Sequence, residues 1–199
     1  MKVILLNGSP KSKGCTYTAL KIIENELINE GIEVKFYEVG NKPVIGCTGC
    51  TACRKLGKCV HDDLVNEVSK EIESADGFIV GSPVHYAAAS GAATSFLDRL
   101  FYSTDKNQLR HKFGASIVSC RRGGASATFD QLNKYFTINE MPIVSSVYWN
   151  QIHGNTPEEV VQDLEGVRTM KVLARNMAYL IKCKEAAKNV PLPKLVPVE

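Results

Sequence analysis

Four of the seven cysteines in this sequence lie within thirteen consecutive positions, close enough in the chain to share one metal site. They are separated by two, two and five residues: Cys47, Cys50, Cys53 and Cys59. This compact spacing is typical of a four-iron, four-sulfur cluster, which takes four thiolate ligands. A structural zinc ion more often uses two separated pairs of cysteines. The third interpretation is a loop whose thiols stay free and only pack against the domain.

A second candidate site is the glycine- and serine-rich segment at residues 7–16. It lies between a buried apolar run and a predicted helix, where backbone amides and the positive helix end favour an anion. Gly8 and Gly14 have the separation of a Walker A loop, but Cys15 stands where its lysine should be. The spacing is not that of a dinucleotide fingerprint either, so we predict a site for one phosphate monoester. Four polar side chains could bind it: Ser9, Lys11, Ser12 and Thr16.

Composition restricts the classes of protein that can carry these sites. The chain has 199 residues, of which 44% are apolar and 23% charged, as expected for one folded domain. The net charge of +3 and the absence of a basic run argue against nucleic acid as a partner. No stretch approaches the roughly 18 apolar residues of a membrane span, and the N-terminus does not resemble a secretory signal. We therefore expect a cytoplasmic protein with reduced thiols.

Apolar periodicity predicts alternating strands and helices. The predicted strands are residues 3–6, 34–37, 78–80, 115–118 and 143–147. The predicted helices are residues 16–30, 64–72, 93–101, 126–139 and 157–183. On the last helix we expect an inward-facing stripe that includes Leu164, Met170 and Met177. The predicted domain covers residues 1–184, with a cysteine-rich loop at residues 40–60 after strand two, and Pro191, Pro193 and Pro197 mark a tail at residues 185–199.

Alternation of this kind predicts an α/β fold with three layers, a doubly wound, five-stranded parallel sheet in the order 2-1-3-4-5. In that order the chain reverses direction between strands one and three. Ligands bind at this point, outside the carboxyl ends of the strands. The loops that meet there are residues 8–14, 81–89 and 121–124.

The residues in these loops resemble a known family. The matching segments are Asn7-Gly8-Ser9-Pro10-Lys11 with Gly14 and Thr16, then Gly81-Ser82-Pro83-Val84-His85-Tyr86, Ser90-Gly91 and Phe96-Leu97-Asp98-Arg99. Together they resemble the NAD(P)H-dependent FMN reductases, a branch of the flavodoxin-like proteins, over residues 1–183. The resemblance implies that the first loop binds the FMN phosphate through Ser9, Lys11 and Thr16, with Ser12 and Cys15 beside them. Cys15 departs from the pattern, in which an asparagine is usual.

The same resemblance implies which residues face the flavin ring. From the second loop these are Pro83, Val84, His85 and Tyr86, and from the third they are Ser119, Arg121, Gly123 and Gly124. Arg122 is the alternative to Arg121 for the flavin's pyrimidine edge or a nicotinamide phosphate. Trp149 and His153 either cover the ring or lie in a subunit interface. No catalytic side chain is expected, because the flavin carries out the chemistry.

The expected function is therefore that of an FMN-dependent oxidoreductase. It would take reducing equivalents from NAD(P)H or a ferredoxin-type donor and pass them to a small acceptor such as a quinone, a nitroaromatic compound or a flavin. Residues 47–59 also resemble the cysteine loop of iron–sulfur flavoproteins, which implies an alternative: a carrier that relays single electrons through a cluster, without nicotinamide turnover. A third hypothesis is a nucleotide-binding module stabilised by zinc, with no redox role. The resemblance further implies a homodimer or homotetramer.

Overall fold

In the computed structural model of the chain, which describes residues 1–194, a mixed sheet forms the centre of the molecule. The three long strands at its centre are almost entirely buried, whereas the edge strand at residues 33–38 is not. The strands are β1 (Lys2–Asn7), β2 (Glu33–Glu38), β3 (Gly77–His85), β4 (Ala88–Ala89), β5 (Phe113–Cys120) and β6 (Gln151–His153).

The order of the sheet confirms the predicted doubly wound topology. The strands follow one another as β2-β1-β3-β5-β6, and every neighbouring pair on this path is parallel. The short β4 lies off this path and pairs antiparallel with the end of β3. β3 is longer than predicted, because Ser82 and Pro83 still pair with Val118 and Ser119 of β5.

Helices cover both faces of this sheet. They are α1 (Cys15–Asn29), α2 (Cys53–Leu56), α3 (Leu64–Ile72), α4 (Gly91–Ser103), α5 (Lys106–Leu109), α6 (Ala125–Thr137), α7 (Pro157–Val160) and α8 (Leu164–Ala186). Alternate residues of β1 point to opposite faces. Val3 and Leu5 pack with α1 and α8, whereas Ile4 and Leu6 pack with α3, α4 and α6. The molecule therefore has the three predicted layers.

The predicted fifth strand was placed wrongly. Residues 143–147 make one isolated bridge, between Ile143 and Gly114 at the start of β5. The chain then leaves the sheet, with Ser145 and Ser146 bonded to α8 instead, and returns as β6 beside the end of β5. An apolar run indicates a strand, but these tertiary contacts determine which part of the segment pairs.

The predicted last helix is interrupted. α7 ends at Val160, and Asp163 begins α8 by accepting a hydrogen bond from the Gly166 backbone amide. The other carboxylate oxygen of Asp163 accepts from the His153 amide, which ties the break to β6. Leu164, expected to face inward, is 79% exposed because it lies in the first turn of the new helix.

No helix within residues 1–194 is long and apolar enough to cross a membrane. After α8 the described chain continues without helix or strand through Pro191 and Pro193 to residue 194. Pro197, the third proline of the predicted tail, lies outside the described residues.

Candidate functional site

The predicted phosphate loop, residues 8–14 between β1 and α1, is shaped by hydrogen bonds among its own polar groups and those of Asn7. The Ser9 amide donates to Asn7 Oδ1, and the Lys11 amide donates to Ser9 Oγ, each at 3.1 Å. Gly14 is the N-cap of α1, and no side chain of the described chain caps that helix. The amides of the first helical turn therefore keep their donors for a ligand, as an anion site requires.

Gly8 holds this loop against the neighbouring strand and helix. Its amide donates to the Gly81 carbonyl at 2.8 Å, and its carbonyl accepts from Ser90 Oγ at 2.6 Å. A Cβ at this position would lie 2.6 Å from the Cβ of Ala93 and 2.9 Å from the Gly81 oxygen. The close approach of β1, β3 and the start of α4 therefore requires glycine here.

The three predicted loops and the segment after β6 meet around one cleft at the carboxyl edge of the sheet. The residues that line it are Ser9, Pro10, Lys11, Cys15, Thr16, Pro83, Val84, His85, Ser119, Arg121, Gly154 and Asn155. Nine of the thirteen residues predicted to bind the cofactor are among them. Of the two candidate arginines, Arg121 lines the cleft and Arg122 does not. The topology of the sheet thus brings together residues more than a hundred positions apart in sequence.

Three residues of the cleft were not among the predicted cofactor residues: Pro10, which belongs to the first loop, and two from a segment that the sequence did not indicate. Gly154 and Asn155 follow β6, and the sequence prediction put the fifth strand before residue 148, so its carboxyl end fell in the wrong place. The hydrogen bond of the Gly154 amide to the Cys120 carbonyl at 3.1 Å holds this segment beside the third loop. Once β6 is placed correctly, the residues after it are expected at the same edge as the other loops.

Four predicted residues lie outside this cleft. Ser12 lines a neighbouring cleft of about 600 Å³ with the segment after β2 and the start of α3. Tyr86 is fully exposed at the tip of the β3–β4 hairpin, where it and Ala87 have φ angles of 51° and 60°. Gly124 packs beneath this hairpin, since a Cβ there would lie 2.7 Å from Ala87 Cα. Gly123 accepts a hydrogen bond from Cys120 Sγ.

Two of the hydroxyls in the cleft bond each other. Thr16 Oγ1 and Ser119 Oγ lie 2.7 Å apart and both residues are buried, so α1 and the end of β5 are joined behind the phosphate loop. Cys15 differs from its polar neighbours, because burial raises the pKa of its thiol above the usual range. Its side chain is therefore neutral at pH 7, and the positive charge on the cleft comes from Lys11 and Arg121.

The four clustered cysteines also converge, although most of residues 40–60 lack regular structure. All four are free thiols and line one small cavity with Arg99, Tyr102 and Ser103. Within residues 1–194, no three histidine, cysteine or acidic side chains are arranged to hold a single metal ion. A single zinc would need all its sulfur ligands at about 2.3 Å. A four-iron cluster binds each thiolate through a different iron, so its donors lie farther apart.

Four thiolates are the ligand set that a four-iron cluster takes. Thiolates from Cys47, Cys50, Cys53 and Cys59 would hold it. Ser103 also lines the cavity, and its hydroxyl is buried with no hydrogen-bond partner in the described chain. An unpaired buried donor is costly unless it meets an acceptor. Cluster sulfur is such an acceptor.

One buried arginine organises the cysteine loop. Arg99 of α4 is 1% exposed, and its guanidinium makes a bidentate pair with Asp63 at 2.6 and 2.9 Å. Partial burial of Asp63 acts to raise its pKa, but the hydrogen bonds from Arg99 and the Val65 amide outweigh it and hold that pKa below the usual range. Asp63 is thus charged at neutral pH and caps α3 at the same time.

These features define the class of protein. A doubly wound sheet, an open helix start at the switch point and two further loops around one cleft are the parts of a flavodoxin-like flavin site. Over residues 1–156 the chain matches the family described as NADPH-dependent FMN reductase, and it belongs to that family. It is therefore a flavin-dependent oxidoreductase, with FMN as the flavin.

Known proteins agree with this assignment. The chain is 32% identical over 189 residues to an iron-sulfur flavoprotein of Methanocaldococcus jannaschii, a match that covers 92% of this chain and 98% of the relative. Among solved structures it is similar to RosB, with a TM-score of 0.74, 14% identity and coverage of 100% of this chain and 91% of the other. A flavodoxin from the domain Archaea matches with a TM-score of 0.63 and 16% identity, over 92% of this chain and 99% of the other. At these identities the two structures show the fold alone.

Proposed function

We propose that the protein takes reducing equivalents from NAD(P)H, or from a ferredoxin-type donor, and passes them to a small acceptor such as a quinone, a nitroaromatic compound or a free flavin. The observation that carries this proposal is the cleft at the switch point, which gathers nine of the thirteen predicted cofactor residues. Bound FMN supplies the redox chemistry, because it accepts electron pairs or single electrons and passes them on.

The phosphate end of the cleft is already arranged for an anion. The start of α1 offers backbone amides, Lys11 adds a positive charge, and the Ser9 hydroxyl lies at the same wall. The internal hydrogen bonds of the loop hold these groups in place before any ligand binds. Preorganised donors of this kind lower the cost of ordering the site on binding.

The other end of the cleft suits a planar ring system. Pro83 and Val84 offer a stiff wall from β3, and Ser119 offers a polar group from β5. Arg121 is exposed and lines the cleft, so its charge can stabilise a reduced flavin or bind a phosphate of NAD(P)H. The residues of this end would thus orient the two reactants against each other.

A second candidate function is supported by the cysteine cavity. In this alternative the protein relays single electrons through a four-iron cluster held by the four loop cysteines and has no nicotinamide turnover. Convergence of the four thiols on one cavity supports it, as does the name of the relative, an iron-sulfur flavoprotein. The cluster, when bound, would supply one-electron transfer.

For both candidate functions, the charge on the surface around the cysteine loop favours a protein as the electron donor. Arg54, Lys55 and Lys58 are exposed on and beside α2, next to two exposed cysteines, Cys47 and Cys50. Positive charge near an electron entry point speeds association with an acidic redox protein of the ferredoxin type.

We further propose that the protein works in the cytoplasm as a homodimer or homotetramer. Val147, Tyr148 and Trp149 are each about half exposed and adjacent, and together they offer apolar area for contact between subunits. A monomeric mass by light scattering at micromolar concentration would contradict this assembly.

Anaerobic spectroscopy tests the function. Protein purified anaerobically and supplied with FMN should show flavin absorption bands that bleach on addition of NADPH or NADH. Bands that bleach with neither nicotinamide would exclude nicotinamide turnover and favour the carrier, and the absence of flavin bands would remove both functions. Assays of iron and acid-labile sulfide on the same sample report whether four irons are bound per chain.

A matched pair of lysine variants tests the cleft. Lys11→Met should weaken FMN binding about tenfold, because it removes a positive charge from the cleft wall. Lys13→Met is the control, since Lys13 lies in the same loop but does not line the cleft. Equal affinities for the two variants would show that the phosphate binds elsewhere.

A further inference from the structure

Arg99 has a contact that its structural role does not require. Its Nη1 and Nη2 groups donate to Asp63 and to the backbone carbonyls of Ile45 and His61. The remaining donor, Nε, points at the sulfur of Cys59 at 3.3 Å. All five N–H groups of the guanidinium therefore donate hydrogen bonds, and one of them donates to a cysteine of the proposed cluster site.

The burial of this arginine makes the contact strong. A guanidinium that is 1% exposed has lost its water, so its hydrogen bonds act in a medium of low dielectric constant. Asp63 balances the charge and fixes the plane of the guanidinium through two bonds. The direction of the N–H bond toward Cys59 is thus set by the pair and does not depend on a flexible side chain.

Cys59 is also held from its backbone. The Asn66 side chain accepts from the Cys59 amide and donates to the Cys59 carbonyl, each at 3.0 Å. Cys47 and Cys50, in contrast, are exposed. Cys53 makes only a 3.9 Å contact from its sulfur to the Tyr102 carbonyl, so Cys59 has the shorter sulfur contact with a group outside the loop and is held from its backbone as well.

We propose that Arg99, oriented by Asp63, is a positioning residue that sets the reduction potential of a cluster bound through Cys59. This inference rests on the proposed cluster. Reduction would add one electron from the ferredoxin-type donor, with no atom gained or lost, so the net charge of the cluster and its thiolates would become more negative by one, part of it on the sulfurs. A charged N–H donor to one of these sulfurs stabilises the more negative form, and hydrogen bonds to sulfur are a known determinant of such potentials.

The test is a redox titration of the anaerobically reconstituted protein, followed by the electron paramagnetic resonance signal of the cluster. Arg99→Lys keeps a positive charge but cannot bond both Asp63 and Cys59 in the same geometry. We expect the equilibrium constant for cluster reduction to fall about tenfold, which is about 59 mV toward negative potential for one electron. The potential of the bound FMN should stay unchanged.

A second variant tests whether Arg99 sets the reduction potential of the cluster or only holds the loop in place. Asp63→Glu keeps the negative charge but moves the carboxylate by one methylene, so it disturbs the orientation of Arg99 without changing the charge near the cluster site. The cluster potential should therefore fall, as in Arg99→Lys but by less. A merely structural role would speed iron loss in both variants at an unchanged potential, and that result would overturn the proposal.

Two controls complete the design. Arg110→Lys makes the same exchange in an ion pair with Glu140 at the opposite edge of the sheet, and it should leave the potential unchanged. Asn66→Ala loosens the Cys59 backbone without touching its sulfur, so it should speed iron loss at an unchanged potential. If Arg99→Lys binds four irons at the wild-type potential, the proposal is wrong. If the wild-type protein itself binds no iron after reconstitution, the proposed cluster fails first, and the inference with it.

Discussion

The phosphate loop and the cysteine loop lie at the same edge of the sheet but are held in different ways. Residues 8–14 form a short connection whose bonds come from its own side chains and from the adjacent strand and helix. Residues 40–60 form a long connection with one short helix, α2, and mostly exposed side chains. A short loop can be determined by its local sequence, whereas a long one needs a support from elsewhere in the fold.

That support is Arg99, which lies 40 positions after Cys59 in sequence. It contacts the loop near its start, at Ile45, and near its end, at Cys59 and His61. The same helix, α4, also serves the phosphate loop, because Ser90 at its N-terminus donates to the Gly8 carbonyl. α4 therefore connects the two sites, but each depends on a different end of it. Substitutions can disturb one loop and leave the other intact.

The largest effect should come from Arg99→Met. This change leaves Asp63 without its partner and removes the hydrogen bonds from Arg99 to two backbone carbonyls. Because the Asp63 side chain is partly exposed, we expect the free energy of unfolding to fall by about 3 kcal/mol, the lower end of the range for breaking a buried ion pair. Urea unfolding of the metal-free protein measures it. Hydrogen exchange should rise in residues 40–60 and stay unchanged in residues 8–14. Arg110→Met is the matched control, and a loss as large as that of Arg99→Met would contradict the special role of the buried pair.

Gly8→Ala should disturb the other loop. The added methyl group would overlap Ala93 and the Gly81 carbonyl, and relief of this overlap should cost about 2 kcal/mol of stability and weaken FMN binding more than tenfold. Calorimetric titration with FMN measures the affinity, and iron content should be unaffected. Gly91→Ala provides the comparison, because nothing lies within 4 Å of a Cβ there. If both variants bind FMN like the wild type, the packing of Gly8 does not support the site.

Ser90→Ala should have a smaller effect of the same kind. It removes the N-cap of α4 and the donor to the Gly8 carbonyl, a loss of about 1 kcal/mol. Thermal unfolding should show this loss, with a weaker FMN affinity. Ser90→Thr keeps the hydroxyl and should recover much of it. A Ser90→Ala variant with normal FMN binding would show that α4 does not hold the phosphate loop.

Cys15→Ala should change least. The backbone amide at the start of α1 remains, and the neutral thiol adds only a weak bond to the Gly154 carbonyl at 3.7 Å. FMN affinity should stay within about twofold, equivalent to roughly 0.4 kcal/mol. A much larger loss, measured by the same titration, would mean that the side chain itself takes part in binding.

The sequence alone was enough to predict the parts of the molecule that depend on local pattern. The apolar run of β1, the glycine loop after it and the stripes of α1 and α4 all appear where periodicity predicts them. The strand order followed, because alternating strands and helices leave few topologies. The meeting of the three loops around one cleft then followed from the strand order. These features can be predicted from the sequence because each depends on neighbours within a few residues or on the general rules for how strands and helices are connected.

Only the tertiary structure decided the rest. The position of β6, and with it Gly154 and Asn155 in the cleft, depends on contacts of residues 145–150 with α8 and β5 that no local pattern encodes. The same holds for Arg99, which in sequence is one charged residue near the end of an amphipathic helix. Its role arises because folding removes its water and leaves Asp63, the His61 carbonyl and the cysteine loop as its hydrogen-bond partners among the described residues. Burial of a charge is a property of the folded chain, so the pairing it enforces cannot be read from spacing.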